Sequence, residues 1–128
     1  MQTLSGDYCP SCGVDVSTYA LVNNKCPRCL STEFAFDRIA RVAVYDGTMR
    51  SLILRFKNSS TELRDFLSQM AFSLLQAAPF RDDIDLLVPV PLHWTRRLKR
   101  GYNQSYLIAG KLKNKAKLDI STDLLRIR

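Results

Sequence analysis

The sequence has no long hydrophobic run, only one histidine and no glycine-rich phosphate loop among its 128 residues. Its apolar stretches are far shorter than the roughly 20 residues that a membrane-spanning helix needs, so we expect no membrane span. The first seven residues lack a basic flank and an apolar centre, and we therefore expect no signal peptide and a cytoplasmic location. For the single histidine, His93, a packed or surface position is a simpler interpretation than a general base, and no Ser-His-Asp triad is predicted.

Positive charge is concentrated in one segment. The chain has a formal net charge of +7, whereas residues 95–118 carry +8 and contain no acid. The eight cations of this segment are Arg96, Arg97, Lys99, Arg100, Lys111, Lys113, Lys115 and Lys117. Such an excess attracts phosphate groups, whether on a nucleic acid or on a small ligand. A lysine-rich, solvated helix face is the simpler interpretation of residues 111–117, and a phosphate seat is favoured for residues 96–100.

Four cysteines have the spacing of a zinc site. Cys9, Cys12, Cys26 and Cys29 form a C-x2-C-x13-C-x2-C pattern, in which each two-residue gap lets one turn present two sulfurs to one metal. A redox C-x-x-C pair and inert buried thiols are the alternatives, but two matched pairs favour zinc. Four cysteines leave no open coordination position, so we predict structural zinc. Residues 1–36 are poor in apolar side chains, and the metal would supply the free energy that folds them.

The rest of the chain alternates between strand and helix patterns. Apolar periodicity predicts helices over 49–57, 63–78 and 103–116, and short apolar runs predict strands over 38–45, over 85–91 and from 119 onward. Ser59 and Glu62 have the spacing of a capping box. Four cations and Gly101 lie in a predicted loop after the strand at 85–91, and Asn103 is a predicted N-cap. This order indicates an α/β fold with a parallel sheet.

The run PVPLHWTRRLKRGYNQSYLIA resembles the signature of the ComF family, proteins similar to type I phosphoribosyltransferases and associated with competence for DNA uptake. Residues 45–57 resemble a conserved helix of that family, and the four-cysteine ribbon also fits. The resemblance implies two domains, a zinc ribbon at 1–36 and the N-terminal portion of a phosphoribosyltransferase-like α/β domain at 37–128. It also implies single-stranded DNA and competence proteins such as a helicase as partners.

The resemblance further implies a site for the pyrophosphate of phosphoribosyl pyrophosphate. Arg96, Arg97, Arg100 and Gly101 would line its pyrophosphate side, and Asn103 and Gln104 would open the following helix. The family's second substrate loop has two adjacent acids and a Thr/Gly-rich turn, and no segment of this sequence matches it. We therefore expect a truncated protein that is not catalytic alone, with Mg²⁺ only in a full-length form.

Two other interpretations stay open. A zinc-ribbon adaptor that binds nucleic acid through residues 95–118 would need no transferase chemistry. An inactive fragment of a broken gene is the plainest alternative. An exposed sheet edge predicts self-association or poor solubility when residues 1–128 are expressed alone.

Overall fold

The computed structural model describes residues 7–58 and 61–127, apart from the side chain of Thr18. The described part does not include Ser59, which belongs to the predicted capping box. It also does not include the residues before Asp7, where we predict no signal peptide. The chain divides into two compact units, Met1–Tyr45 and Asp46–Arg128. This division is later in the chain than the predicted domains 1–36 and 37–128, which stay a prediction.

The first unit is built from turns around its cysteines. A 3-10 turn spans Thr18–Ala20, helix α1 spans Pro27–Ser31, and two isolated antiparallel bridges join Tyr8 to Asp15 and Val22 to Lys25. Among the described residues of this unit, only Cys9 and Cys26 are buried. The described part of this unit therefore has no apolar core of its own, in agreement with the composition of residues 1–36.

The predicted strand over residues 38–45 is wrong, because this segment is coil that lies along the first cysteine turn. The amide of Ile39 donates a hydrogen bond to the carbonyl of Pro10 at 3.2 Å, and the Arg41 guanidinium donates to the carbonyl of Gly13 at 3.2 Å. Arg41 also pairs with Asp15. The segment's polar groups are therefore used by a turn, and β propensity alone does not make a strand without a pairing partner.

The second unit alternates helices and short strands. Its elements are α2 (Gly47–Lys57), α3 (Leu63–Ala77), a 3-10 turn (Arg81–Asp83), β1 (Leu86–Leu87), α4 (Trp94–Arg100), α5 (Gln104–Ala116) and β2 (Asp119–Ile120). The predicted helices α2, α3 and α5 are confirmed. Both predicted strands after residue 85 form, although each has only two residues, and they pair in parallel with Leu86 opposite Asp119. The mixed α/β character is therefore confirmed.

Helices α3 and α5 pack closely and run in the same direction. Lys111 on α5 forms an ion pair with Asp65 on α3 at 3.0 Å, and four residues further along both helices Lys115 hydrogen-bonds Gln69. The Lys115 ammonium also lies 5.6 Å from the centre of the Phe72 ring. Two of the lysines in the basic segment therefore join helices together.

Candidate metal centre and cationic helix

The first cysteine turn is a tight loop that Gly13 makes sterically feasible. Gly13 has φ +75°, and its amide donates to the carbonyl of Cys9 at 2.8 Å. An added Cβ at this position would lie 3.0 Å from the Ile39 side chain. Positive φ and the close neighbour both require glycine, as predicted from its place after the second cysteine. The turn presents the sulfurs of Cys9 and Cys12 to the same side.

The second cysteine turn begins helix α1. Cys26 is the N-cap residue, Pro27 occupies the first turn, and the amide of Cys29 donates to the carbonyl of Cys26 at 2.9 Å. Proline is favoured at this place because its missing N–H has no partner at a helix start. Cys29 therefore lies one turn after Cys26, with its sulfur near that of its partner.

A hairpin that the sequence analysis missed precedes the second turn. Val22 and Lys25 bond each other through both backbone groups, and Asn23 and Asn24 between them have φ values of 51° and 61°. Two central residues with positive φ are the mark of a type I′ turn, and asparagine tolerates it well. The carbonyl of Asn24 accepts a hydrogen bond from the Cys9 thiol at 3.9 Å, so this turn connects the two cysteine pairs.

The four sulfurs form one cluster. All four Sγ atoms lie within 4.8 Å of one another, with Cys9 and Cys29 at 3.8 Å and Cys12 and Cys26 at 3.6 Å. A tetrahedral zinc ion with Zn–S bonds of about 2.3 Å requires sulfurs about 3.8 Å apart. The donor set and its spacing therefore fit Zn²⁺ closely, and each cysteine would supply one thiolate.

The ionisation of the thiols also favours a bound cation. Burial raises the pKa of the Cys9 thiol, but hydrogen bonds from the backbone of Cys12, Cys26 and Ser11 outweigh it and lower that pKa to about 6. Burial and the neighbouring cysteine side chains raise the pKa of Cys29 to about 12. Cys9 thus loses its proton readily, whereas deprotonation of Cys29 is strongly opposed. A divalent cation at the centre removes this opposition, because it offsets the repulsion between the sulfurs.

The predicted cationic loop after β1 is wrong, because most of it is helix α4. His93 is the N-cap residue, and its Nδ1 accepts from the amide of Thr95 at 3.4 Å. Since residues four apart share a helix face, Arg96 and Arg100 lie on one side, and Arg97 is turned about 100° from Arg96. Residues three apart are neighbours as well, so Arg97 lies about 60° from Arg100; the helix places Arg100 near both of the other predicted arginines, while Arg96 and Arg97 diverge from each other. Their role in ligand binding stays a prediction.

The three residues after α4 hold the chain in place. Gly101 ends the helix with φ +78°. The Tyr102 hydroxyl donates to the carbonyl of Phe56 at the end of α2, at 2.5 Å. Asn103 is the N-cap of α5, as predicted: its Oδ1 accepts from Ser105 at 3.0 Å, and its Nδ2 donates to the carbonyl of Val90 at 3.1 Å. Residues 101–103 of the family-like motif thus have a structural role, of which the sequence predicted the cap at Asn103 but not the contact between Tyr102 and Phe56.

The beginning of α5 carries an unsatisfied polar group. The Nε2 atom of Gln104 is buried and has no hydrogen-bond partner among the described residues. Arg100 at the end of α4 is half-buried, whereas Arg96 and Arg97 are exposed. Of the predicted site residues, Arg100, Asn103 and Gln104 therefore surround the junction between the two helices.

Among the described residues, no helix is long and apolar enough to span a bilayer.

Comparison with known proteins gives one informative match. The chain is 30% identical over 115 residues to competence protein F of Haemophilus influenzae. The match covers 87% of this chain and 49% of that protein, so the chain spans about half the length of the curated relative. No protein-family model and no solved structure matches the chain.

Proposed function

The chain is related to the ComF family, and from this relationship we propose that it has a competence-associated function. The observation that carries the proposal is the 30% identity to competence protein F, which extends over both units of the chain. The partners that we propose are single-stranded DNA and other competence proteins such as a helicase. The cytoplasm would suit the centre at Cys9, because a reducing compartment keeps thiols available for metal.

We further propose that the cysteine centre is a structural zinc ribbon. Its support is the sulfur spacing and the near absence of other buried side chains in the described part of the first unit. Zinc would hold the two turns together and would act on no substrate, since four thiolates complete its coordination.

The second unit, we propose, is the start of a phosphoribosyltransferase-like domain with a seat for a diphosphate. Strand β1, helix α5 and strand β2 form a parallel β-α-β unit, and in such sheets ligands bind beyond the carboxyl ends of the strands. Helix α4 follows that end of β1. Arg96 and Arg100 supply charge on one face, and Gln104 supplies an unused amide donor. The ligand would be phosphoribosyl pyrophosphate or a similar diphosphate, with Mg²⁺ in a full-length form.

Natural transformation tests the competence-associated function. Deletion of the gene in its own host should lower the yield of transformants with linear DNA at least tenfold, and the intact gene should restore it. A Cys12→Ser variant should restore it poorly, because the zinc site is lost. An unchanged yield in the deletion strain would refute the proposal.

Calorimetric titration with inorganic pyrophosphate tests the ligand seat. Binding should weaken at least fivefold in Arg100→Gln and stay within twofold of the parent in Lys113→Gln, because Lys113 is an exposed cation on α5 away from the junction. Equal losses in both variants would show attraction by overall charge and would contradict a built seat.

A nucleic-acid-binding adaptor is the second candidate, and one observation favours it. Among the described residues, none of the four cations of α4 forms an ion pair. Such cations can release counterions from a phosphate backbone, so affinity for a single-stranded oligonucleotide would fall steeply with salt. A steep logarithmic slope without pyrophosphate binding would favour the adaptor over the diphosphate seat.

A further inference from the structure

Helix α4 carries two large apolar side chains that the described residues leave uncovered. Trp94 is 67% exposed and Leu98 is 76% exposed. They are four residues apart and so lie on one face of the helix. Val90, in the segment before α4, is 65% exposed. We define the outer face of α4 as Trp94 and Leu98.

The helix is attached mainly through its ends. Before the helix, the Val90 carbonyl accepts a hydrogen bond from Asn103 Nδ2, and after it Gly101 turns the chain toward Tyr102, whose hydroxyl bonds the Phe56 carbonyl. Helix α4 is not among the elements that pack extensively against another helix or strand. Its outer face is therefore presented to solvent by a support that is fixed at both ends.

The charge around this face has one sign. No acidic residue occurs between Asp85 and Asp119 in the sequence. With about 100° per residue, Arg97 lies about 60° from Trp94 and borders the line through Trp94 and Leu98, whereas Lys99 lies about 100° beyond Leu98, toward the back of the helix. Both are exposed, and neither forms an ion pair within the described part of the chain. An apolar line with a cation on one border, in a segment without acids, is complementary to an apolar line bordered by acids.

We propose that the outer face of α4 docks an acidic amphipathic helix of a protein partner. The partner's apolar residues would cover Trp94 and Leu98, and its carboxylates would meet Arg97. Nucleic acid fits less well, because a base can stack on Trp94 but leaves the aliphatic Leu98 uncovered. A bilayer surface fits less well too, since membrane-binding helices bury a longer apolar face than two side chains provide.

This docking surface is distinct from the proposed diphosphate seat. Arg96 and Arg100 lie on the opposite side of α4 from Trp94 and Leu98, by the same helical geometry. A partner helix on the outer face therefore leaves the junction at Asn103 open. The two proposals can fail separately.

Trp94 provides the assay, because it is the only tryptophan in the chain. The probe is a synthetic 18-residue helical peptide with leucines on one face and glutamates bordering them. A scrambled peptide of the same composition is its control. Binding should shift the Trp94 emission to shorter wavelength as the indole leaves water, and the scrambled peptide should cause no shift.

Paired variants locate the binding face. Leu98→Ala and Arg97→Glu should each weaken the binding of the helical peptide at least tenfold. Their controls, Leu124→Ala and Lys113→Glu, remove an exposed leucine and reverse an exposed cation away from α4, and should stay within twofold. Circular dichroism should show unchanged helix content in all four, since each altered side chain is exposed.

Three results would overturn the proposal. Equal binding of the scrambled peptide would show attraction by charge without a docking face. A shift or quenching by a thymidine 20-mer or by anionic vesicles, with no response to the helical peptide, would assign the face to nucleic acid or lipid. An unchanged affinity in Leu98→Ala would remove the apolar contact. Binding that persists in Arg100→Gln would support docking even if pyrophosphate fails to bind.

Discussion

Replacement of Tyr102 by phenylalanine tests whether the family-like motif stabilises the fold. The Tyr102 hydroxyl donates to the backbone carbonyl of Phe56 at 2.5 Å, and the two rings lie 6.1 Å apart, tilted by 42°. Tyr102→Phe keeps the ring contact and removes only the hydroxyl. The variant therefore isolates one hydrogen bond between the segment after α4 and the end of α2.

The expected cost follows from the site of the acceptor. The last four carbonyls of a helix have no partner within it, so the Phe56 carbonyl depends on Tyr102 or on water. The Phe56 side chain is only 3% exposed, and water therefore has limited access to this end of α2. A hydrogen bond of this kind contributes about 0.5–1.5 kcal/mol to the free energy of unfolding. Because the variant leaves a buried acceptor without its partner, we expect a loss near the upper end of that range, about 1–1.5 kcal/mol. The melting temperature should fall by about 4–6 °C.

Urea unfolding followed by circular dichroism at 222 nm, in excess zinc, measures this cost. The midpoint should fall while the slope of the transition stays unchanged. Tyr106→Phe is the matched control, because Tyr106 is 49% exposed on α5 and its hydroxyl forms no hydrogen bond with the part of the chain that the structure describes. Equal unfolding free energies for Tyr102→Phe and Tyr106→Phe would refute the structural role of the motif.

The remaining predictions concern the metal, a cap and an ion pair. Metal analysis should find one zinc ion per chain in the parent and less than half of that in Cys12→Ser. A chelator should unfold the first unit, whereas the circular dichroism of the helices in the second unit should stay unchanged. Asn103→Ala should cost about 1–2 kcal/mol in urea unfolding, whereas Asn103→Asp keeps the cap acceptor, loses only the donor to Val90 and should cost less. Lys111 lowers the pKa of the Asp65 carboxyl below its ordinary value of 3.8. The ion pair therefore stabilises the fold fully above pH 3.8, and this stabilisation is lost as the pH falls and the carboxylate is protonated. Asp65→Asn should therefore lower the melting temperature at pH 7, and the difference should vanish in acid.

Local patterns with a complete physical cause were predictable from the sequence. The apolar stripe of α3 and the N-cap at Asn103 each define an element by themselves, since helix periodicity and capping act within a few residues. The cysteine cluster was predictable because two C-x-x-C turns have few other uses. These parts need no knowledge of distant neighbours.

The wrong predictions concern segments whose structure depends on neighbours or on caps. Residues 38–45 have β propensity, but Ile39 and Arg41 bond the first cysteine turn, which no local pattern indicates. Helix α4 lacks a buried apolar face, so periodicity missed it. Its end was readable, because cations in a last turn followed by Gly101 are a helix C-terminal signal. The Asn23–Asn24 turn had a signal as well, namely two adjacent asparagines between residues that pair.

The side-chain pairs between α3 and α5 limit where this chain can gain or lose residues during evolution. Asp65 with Lys111 and Gln69 with Lys115 are both separated by 46 residues. A single-residue deletion between 65 and 69 or between 111 and 115 rotates everything beyond it by about 100° and uncouples one of the two pairs. Insertions between Ala78 and Ile84, before β1, leave both of these pairs and the pairing of β1 with β2 intact. We therefore expect gaps among homologous sequences to accumulate in that connector and to be rare between residues 65 and 69 and between 111 and 115.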